Sequence, residues 1–391
     1  MYAYWHDPAW KKFVGATVKI WDLAHNLATR QIDVILFLPR YGFAVEKVPF
    51  KIIEVPFLNL PVLRPLTFNL ALAAAIAVRV RRYRPDIFYV RRMGSIVPAL
   101  LARMLRIPFL YEVNDDPYRR EYQKGSVLLF TLRSLASRLQ EDINLKLAAR
   151  VYTITPDIIA SIVMRNAGLA KHKFAVLPSG ANVDLFKPMD PVEARSAVGL
   201  DSGRKYIGFV GTLLKHQGVD VLIAAAAIIV KQMPNAMFVI VGEGPLKQDW
   251  MNLAVSRSLG DHFRFTGQIR YEQMPQWLNA FDVCVAPFLE SAGYRSPVKI
   301  FDYMACGRPV VASDIPGTTS VFRESDAIRL IPPENPRALA GAIMDLLADP
   351  SRSDALGRAG RIFVVRNYDR KHLAEKIVST ARQLTPSKRG N

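Results

Sequence analysis

The sequence predicts an α/β protein made of two doubly wound parallel-sheet domains in series. Three observations predict it. Short apolar runs with punctuated ends alternate with longer segments of helical spacing along the whole chain, the pattern of parallel strands covered by helices on both faces. That pattern restarts after a polar, proline-containing connector, LFKPMDPVEARSAVGLDSGRK. A chain of 391 residues also exceeds one ordinary core and suits two.

In the first half the strand runs are QIDVILFLP (31–39), PDIFYVR (85–91), PFLYEVN (108–114), RVYTITP (150–156) and FAVLPSG (174–180), after a short first strand at the N-terminus. Helical spacing fills 17–30, 66–83, 94–106 and 125–148 between them. In the second half the runs are YIGFVG (206–211), AMFVIVGEG (236–244), FRFTGQI (263–269), DVCVAP (282–287) and PVVASD (309–314). Domains are expected at 1–190 and 191–366, with a terminal helical segment over 367–391.

Half of the residues are apolar and Gly and Pro are near average, which excludes a disordered or fibrous chain. Cys284 and Cys306 match no zinc spacing and offer no disulfide framework; they read as small buried hydrophobes. The start MYAYWHDPAWKKF lacks the apolar stretch of a secretory leader, and the longest apolar runs, LALAAAIAV (70–78) and VLIAAAAIIV (221–230), fall short of the roughly 20 residues that cross a bilayer. A cytoplasmic protein is expected.

The net charge is +18, and it is uneven. Residues 1–190 hold 27 Lys and Arg against 15 Asp and Glu, or +12, and the remainder 25 against 19, or +6. Basic clusters at RVRRYR (79–84), VRRMG (90–94) and YRREYQK (118–124) point to an anionic partner. The segment 125–140, with Leu128, Leu129, Phe130, Leu132 and Leu135 beside Arg133 and Arg138, suits either its own sheet or an anionic membrane surface. Charge alone is thin support for a nucleic-acid partner, and none is expected.

Ligands of open parallel sheets bind beyond the carboxyl ends of the strands. In the second half three such loops carry chemistry: GTLLKHQG after the first strand, GEG after the second, and SPVKIFDYMACG before PVVASD. In the last, Ser296 suits an N-cap, Pro297 the first helical position and Gly307 the end. Lys299 and Asp302 then share one face near a helix N-terminus. A cation there is opposed by the helix dipole unless an anion sits beside it. Spacing leaves two readings open: a grip on the diphosphate and ribose of a nucleotide, or a local Lys299–Asp302 ion pair with no ligand.

These segments in this order resemble the retaining glycosyltransferases of family 4, which have the GT-B fold of two Rossmann-like domains. The resemblance covers nearly the whole chain: VGATVKIWDLAHNLATRQIDVILFLP, KFAVLPSGANVDLFKP, YIGFVGTLLKHQGVDVLIAA, VIVGEGPLK, FRFTGQIRYEQMPQWLNAFDVCVAPF and PVKIFDYMACGRPVVASD. It implies transfer of a sugar from a nucleotide-sugar donor to a hydroxyl of a glycan or lipid-linked acceptor. It further implies retention of configuration, with no metal and no cofactor. The acceptor would lie mainly on the first domain and the donor on the second. With the basic first half, it also implies cell-envelope polysaccharide biosynthesis at the inner face of the membrane.

By the same resemblance the nucleotide is held by Gly211, Thr212, Lys215, Gly242, Gly244, Ile269, Arg270, Lys299 and Asp302. The sugar is held by Gly15, Glu112, Asn114, Glu290, Ala292, Gly293, Tyr294 and Arg295, with backbone N–H groups of 292–295 as donors. Lys215, Lys299 and Asn114 are the catalytic candidates. Asp302 stands at the second Glu of the family's paired-Glu motif, and Tyr294 where the first would be. Thr212 and Gln217 stand where the family commonly has Arg and Lys; the Ser-Pro-x-Lys helix start marks a variant in which other cations replace them. Two alternatives from other classes are a non-catalytic protein with a degenerate fold, and a dinucleotide-dependent dehydrogenase. The latter lacks its fingerprint, since Gly242 and Gly244 have no third glycine.

Overall fold

The computed structural model describes residues 2–3, 15–40, 48–60, 63–114, 127–166, 168–293, 297–323 and 325–385, with backbone alone at 2–3, 15–18 and 127–134. The chain forms two units: Met1–Pro178 with Lys371–Asn391, and Ser179–Arg370.

The first unit holds a seven-stranded sheet of β1 (Tyr2–Ala3), β2 (Ile35–Pro39), β3 (Lys51–Val55), β4 (Phe88–Arg91), β5 (Phe109–Val113), β6 (Arg150–Thr153) and β7 (Phe174–Val176). Their order is β3-β2-β1-β4-β5-β6-β7, and every pair is parallel. Apolar residues of its strands, such as Leu36, Leu110 and Tyr152, bury against Ile20, Leu23 and Ala24 of the Gly15–Ala28 helix. Leu373, Ala374 and Ile377 of the last helix, Arg370–Leu384, complete that cluster.

The second unit holds six strands: β8 (Lys205–Val210), β9 (Ala236–Val241), β10 (Phe263–Gly267), β11 (Val283–Ala286), β12 (Val310–Ser313) and β13 (Arg329–Ile331). Their order is β10-β9-β8-β11-β12-β13, again all parallel. Successive residues of β9 feed opposite cores, Phe238 and Ile240 on one face and Val239 and Val241 on the other. A strand buried on both faces reads as a continuous apolar run, which is why AMFVIV is legible in the sequence.

Two strands escaped the apolar-run reading, β3 and β13. Both are edge strands, and KIIEV and RLI carry exposed charged residues instead of a sustained apolar run. The join also differs from the expected 190. Ala181, Val183 and Phe186 bury in the second unit's core, and Ala181 exchanges backbone hydrogen bonds with Tyr368 and Arg370. The division therefore falls at Pro178. Cys284 and Cys306 are buried and free, as small apolar residues would be.

Candidate functional site

In the second sheet the order reverses between β8 and β11, and open sheets bind ligands beyond the carboxyl ends of the strands at such a switch point. The two loops touch there. Gly218, at φ +70°, closes the turn after β8, and a Cβ on it would lie 1.7 Å from the carbonyl oxygen of Pro287 beyond β11. Only a glycine allows that approach.

The helix that follows β11 runs Val298–Ala305. Pro297 takes the N-cap position, one residue later than the sequence suggested, and Ser296 lies outside the described residues. Lys299 is thus the second helical residue. Ile300, Phe301, Tyr303 and Met304 are buried, and the Tyr303 hydroxyl accepts a 2.7 Å hydrogen bond from the N–H of Val210, the last residue of β8. That bond fixes the helix against the strand end where the loop begins.

Lys299 reaches over the same strand end. Its ammonium lies 3.8 Å from the centre of the Phe209 ring and 5.1 Å from that of Phe288. A Cβ on Gly211, which follows β8 at φ +156°, would lie 2.6 Å from that nitrogen. The ammonium donates to Oε1 of Gln217. Among the described residues it has no carboxylate partner, and burial pushes its pKa well below the usual lysine value. Lys299 is half-buried, and a cation drawn partly out of water without a counter-charge is costly; two ring faces and one amide oxygen offset part of that cost.

Gln217 is a relay. Because its oxygen receives the Lys299 proton, its amide nitrogen is the donor to Nε2 of His216, 3.0 Å away. His216 then carries its proton on Nδ1. Burial and the nearby Lys299 charge lower its pKa, consistent with a neutral ring.

Asp302, one turn on, does not pair with Lys299. It faces Arg370, 3.9 Å away, whose buried guanidinium also donates to Tyr271 and to the carbonyls of Ser179 and Gly180. The local ion pair that spacing left open is therefore not what forms.

Gly242 and Gly244 do line the neighbouring turn after β9: a Cβ on either would strike the backbone of Gly211 or Leu213. Thr212 and Ile269 are half-buried, and Arg270 is exposed and pairs with Glu272 at 3.6 Å. Lys215, expected as a second phosphate cation, is instead 68% exposed and engaged by Asp220. The donor loop also differs from expectation. The N–H of Ala292 donates to Leu289 and that of Gly293 to Glu290, so these two groups are spent inside the turn. Glu290 is exposed, with its own N–H directed to Glu334. Tyr294 and Arg295 lie outside the described residues.

In the first unit Gly15 opens its helix. Glu112, expected at the sugar, is only 1% exposed and takes a 2.7 Å ion pair from Lys19 and a hydrogen bond from Tyr89. Burial would raise its pKa, but the charges of Lys19 and Arg91 outweigh that and bring it to about 2. Its oxygens are engaged within the unit by Lys19 and Tyr89, so the structure does not present them to a sugar. Asn114, two residues on and past the end of β5, is the opposite case. Both polar atoms of its side chain are buried and lack a hydrogen-bond partner, a state that calls for a ligand or a solvent molecule.

Sequence reasoning missed Phe209, His216, Phe288 and Tyr303, and read Gln217 only as an absent cation. The one signal was the pair of aromatic residues flanking the loops. Among the described residues, no group of three or more His, Cys, Asp or Glu could hold a metal ion.

Two family models match the chain in series. Residues 14–185 match the model of Glycosyltransferase Family 4 and residues 204–349 that of Glycosyl transferases group 1. A 2-deoxystreptamine N-acetyl-D-glucosaminyltransferase of Streptomyces fradiae is 28% identical over 393 residues, 92% of this chain and 91% of that protein. Among solved structures, sucrose-phosphate synthase from Thermosynechococcus elongatus superposes with a TM-score of 0.78 at 23% identity, over 98% of both chains. HepE from Anabaena, in complex with UDP, gives 0.77 at 20% identity over 98% of this chain and 99% of that one. The chain is a glycosyltransferase of the GT-B fold.

Proposed function

We propose that this enzyme is a retaining, metal-independent transferase. On this reading it moves a hexosyl group from a nucleoside-diphosphate sugar to a hydroxyl of a lipid-linked or cell-envelope glycan at the inner face of the membrane. The observation that carries the donor half is Lys299: a half-buried ammonium with no carboxylate partner among the described residues, held over Gly211 at the sheet's switch point. A diphosphate is the counter-charge such a group lacks.

In this reading the α- and β-phosphates lie over Gly211, between Lys299 and the N-terminus of the Val298–Ala305 helix. Asp302, held by Arg370, receives the ribose hydroxyls, and the Gly242–Gly244 turn lets the base approach backbone. As the bond from the anomeric carbon to the phosphate oxygen breaks, its electron pair stays on that oxygen, while the acceptor hydroxyl oxygen bonds to the same carbon from the same face and passes its proton to the departing diphosphate. Lys299 and the helix N-terminus stabilise the growing charge, a task that a metal ion performs elsewhere. Asn114 offers an amide to a sugar hydroxyl. It has no basic atom to act as general base.

The acceptor half rests on the basic first domain. The test is calorimetry with UDP, GDP, ADP and their common sugar conjugates in chelator, on the wild type, Lys299→Ala and Asp302→Ala. One nucleotide should bind, and each substitution should weaken it at least tenfold. Transfer or donor hydrolysis, with the product's anomeric configuration read by NMR, completes it. An inverted product, or an absolute need for a divalent ion, would refute the mechanism.

A further inference from the structure

The Leu63–Tyr83 helix has two apolar faces. Phe68, Leu72 and Ile76 are buried against the first unit. On the other side Leu63, Leu66, Leu70, Ala74, Ala77 and Val78 are exposed, Leu66 at 57%, Leu70 at 64% and Val78 at 63%. The spacing of three or four residues puts them on one stripe. Exposed leucines at single sites mean little, but an unbroken stripe along a helix marks an interaction surface.

Charge decides what it meets. The stripe ends at Arg81 and Arg82, both exposed, with Arg79 and Arg84 beside them. No Asp or Glu occurs between Glu54 and Asp86, a stretch with five arginines. The neighbouring Val97–Leu105 helix, which packs on this one, exposes Leu100, Met104 and Leu105 and carries Arg103. Leucine and methionine edged only by arginine complement a surface that is apolar within and anionic at its rim, as a bilayer of acidic phospholipid is.

The helix is also the one, among the described residues, long and apolar enough to cross a membrane. Its inner stripe forbids that, because spanning would pull Phe68, Leu72 and Ile76 out of the domain. We propose that the Leu63–Tyr83 helix is a membrane-docking element that lies flat on an anionic bilayer, its outer leucines in the acyl boundary and its terminal arginines on the headgroups. The proposal deepens the acceptor half of the function above, but its test needs neither donor nor acceptor.

The experiment is sedimentation of the full chain with vesicles of phosphatidylcholine alone and with about 30 mol % phosphatidylglycerol added. The wild type should partition at least tenfold more strongly onto the anionic vesicles, and salt should weaken this. Leu66→Gln with Leu70→Gln should lower partitioning about tenfold. Arg81→Gln with Arg82→Gln should remove the preference for anionic lipid. Fluorescence of Leu70→Trp supplies a gain of signal: brominated lipid should quench it beyond the wild type's own tryptophans. Wild type that stays in the supernatant overturns the proposal, as does binding that neither pair alters. So does a dimer that the leucine pair dissolves while vesicle binding persists, since the stripe would then serve a second copy of the chain.

Discussion

Gln217 holds Lys299 by its amide oxygen, at the turn where resemblance alone expects a second cation. Among the described residues the turn thus relies on one half-buried ammonium. Such a group destabilises the free protein and is useful only when an anion arrives. Lys299→Met should therefore raise the melting temperature, by the equivalent of about 1–3 kcal/mol, while weakening nucleotide binding at least tenfold. Thermal unfolding and calorimetry on the same samples check this. A lower melting temperature would show that the ammonium supports the fold instead.

The pH dependence has two opposite signs. Burial holds the Lys299 pKa well below its unfolded value, so between those values the unfolded chain binds a proton that the native chain does not. Stability of the free enzyme should rise with pH across that interval. A bound diphosphate favours the charged form, so donor binding should take up a proton there, and affinity should fall as pH rises. Calorimetry in two buffers of different ionisation enthalpy reads the proton count directly. No uptake would mean that Lys299 is already charged in the free enzyme.

Gly211→Ala tests the geometry without touching a charge. The new Cβ would meet the Lys299 ammonium at 2.6 Å in a backbone conformation that L residues rarely adopt. Donor binding should drop at least tenfold, with a stability loss of about 1–3 kcal/mol, measured by denaturant titration.

In the first unit, Lys19 and Glu112 should act as a pair. Removing either alone leaves a buried charge, so Lys19→Met or Glu112→Leu should each cost about 3–5 kcal/mol, whereas the double substitution should recover most of it. The intact pair also sets an acid limit. With its folded pKa depressed to about 2, Glu112 contributes its full stability above its unfolded value, near 4.5, and loses it progressively as pH falls toward 2. Urea titrations of the four proteins across that range give both answers.

How far the sequence could be read depended on which physical signal each feature leaves. Central strands such as β8 and β9 are buried on both faces and show as apolar runs, and the glycines at 211, 242 and 244 mark the turns where backbones meet. β3 and β13 leave no such run at the sheet edges. The partners of Lys299 were invisible for another reason. Gln217, Phe209 and Phe288 come from three separate segments, and nothing in their local pattern says that they converge on one nitrogen. Glu112 and Asp302 looked alike as carboxylates near strand or helix ends. Only packing reveals that one is engaged by Lys19 and Tyr89 inside the first unit and the other by Arg370 inside the second.

The last helix, Arg370–Leu384, supplies Leu373, Ala374 and Ile377 to the core that Ile20, Leu23 and Leu36 begin. During synthesis the core of the amino-terminal unit therefore stays incomplete until the whole of Ser179–Arg370 has been translated. The second unit is contiguous and can fold as soon as it emerges from the ribosome. A chain cut before Lys371 would carry every residue of the second unit but leave Ile20, Leu23 and Leu36 without Leu373, Ala374 and Ile377, and the first unit open to proteolysis.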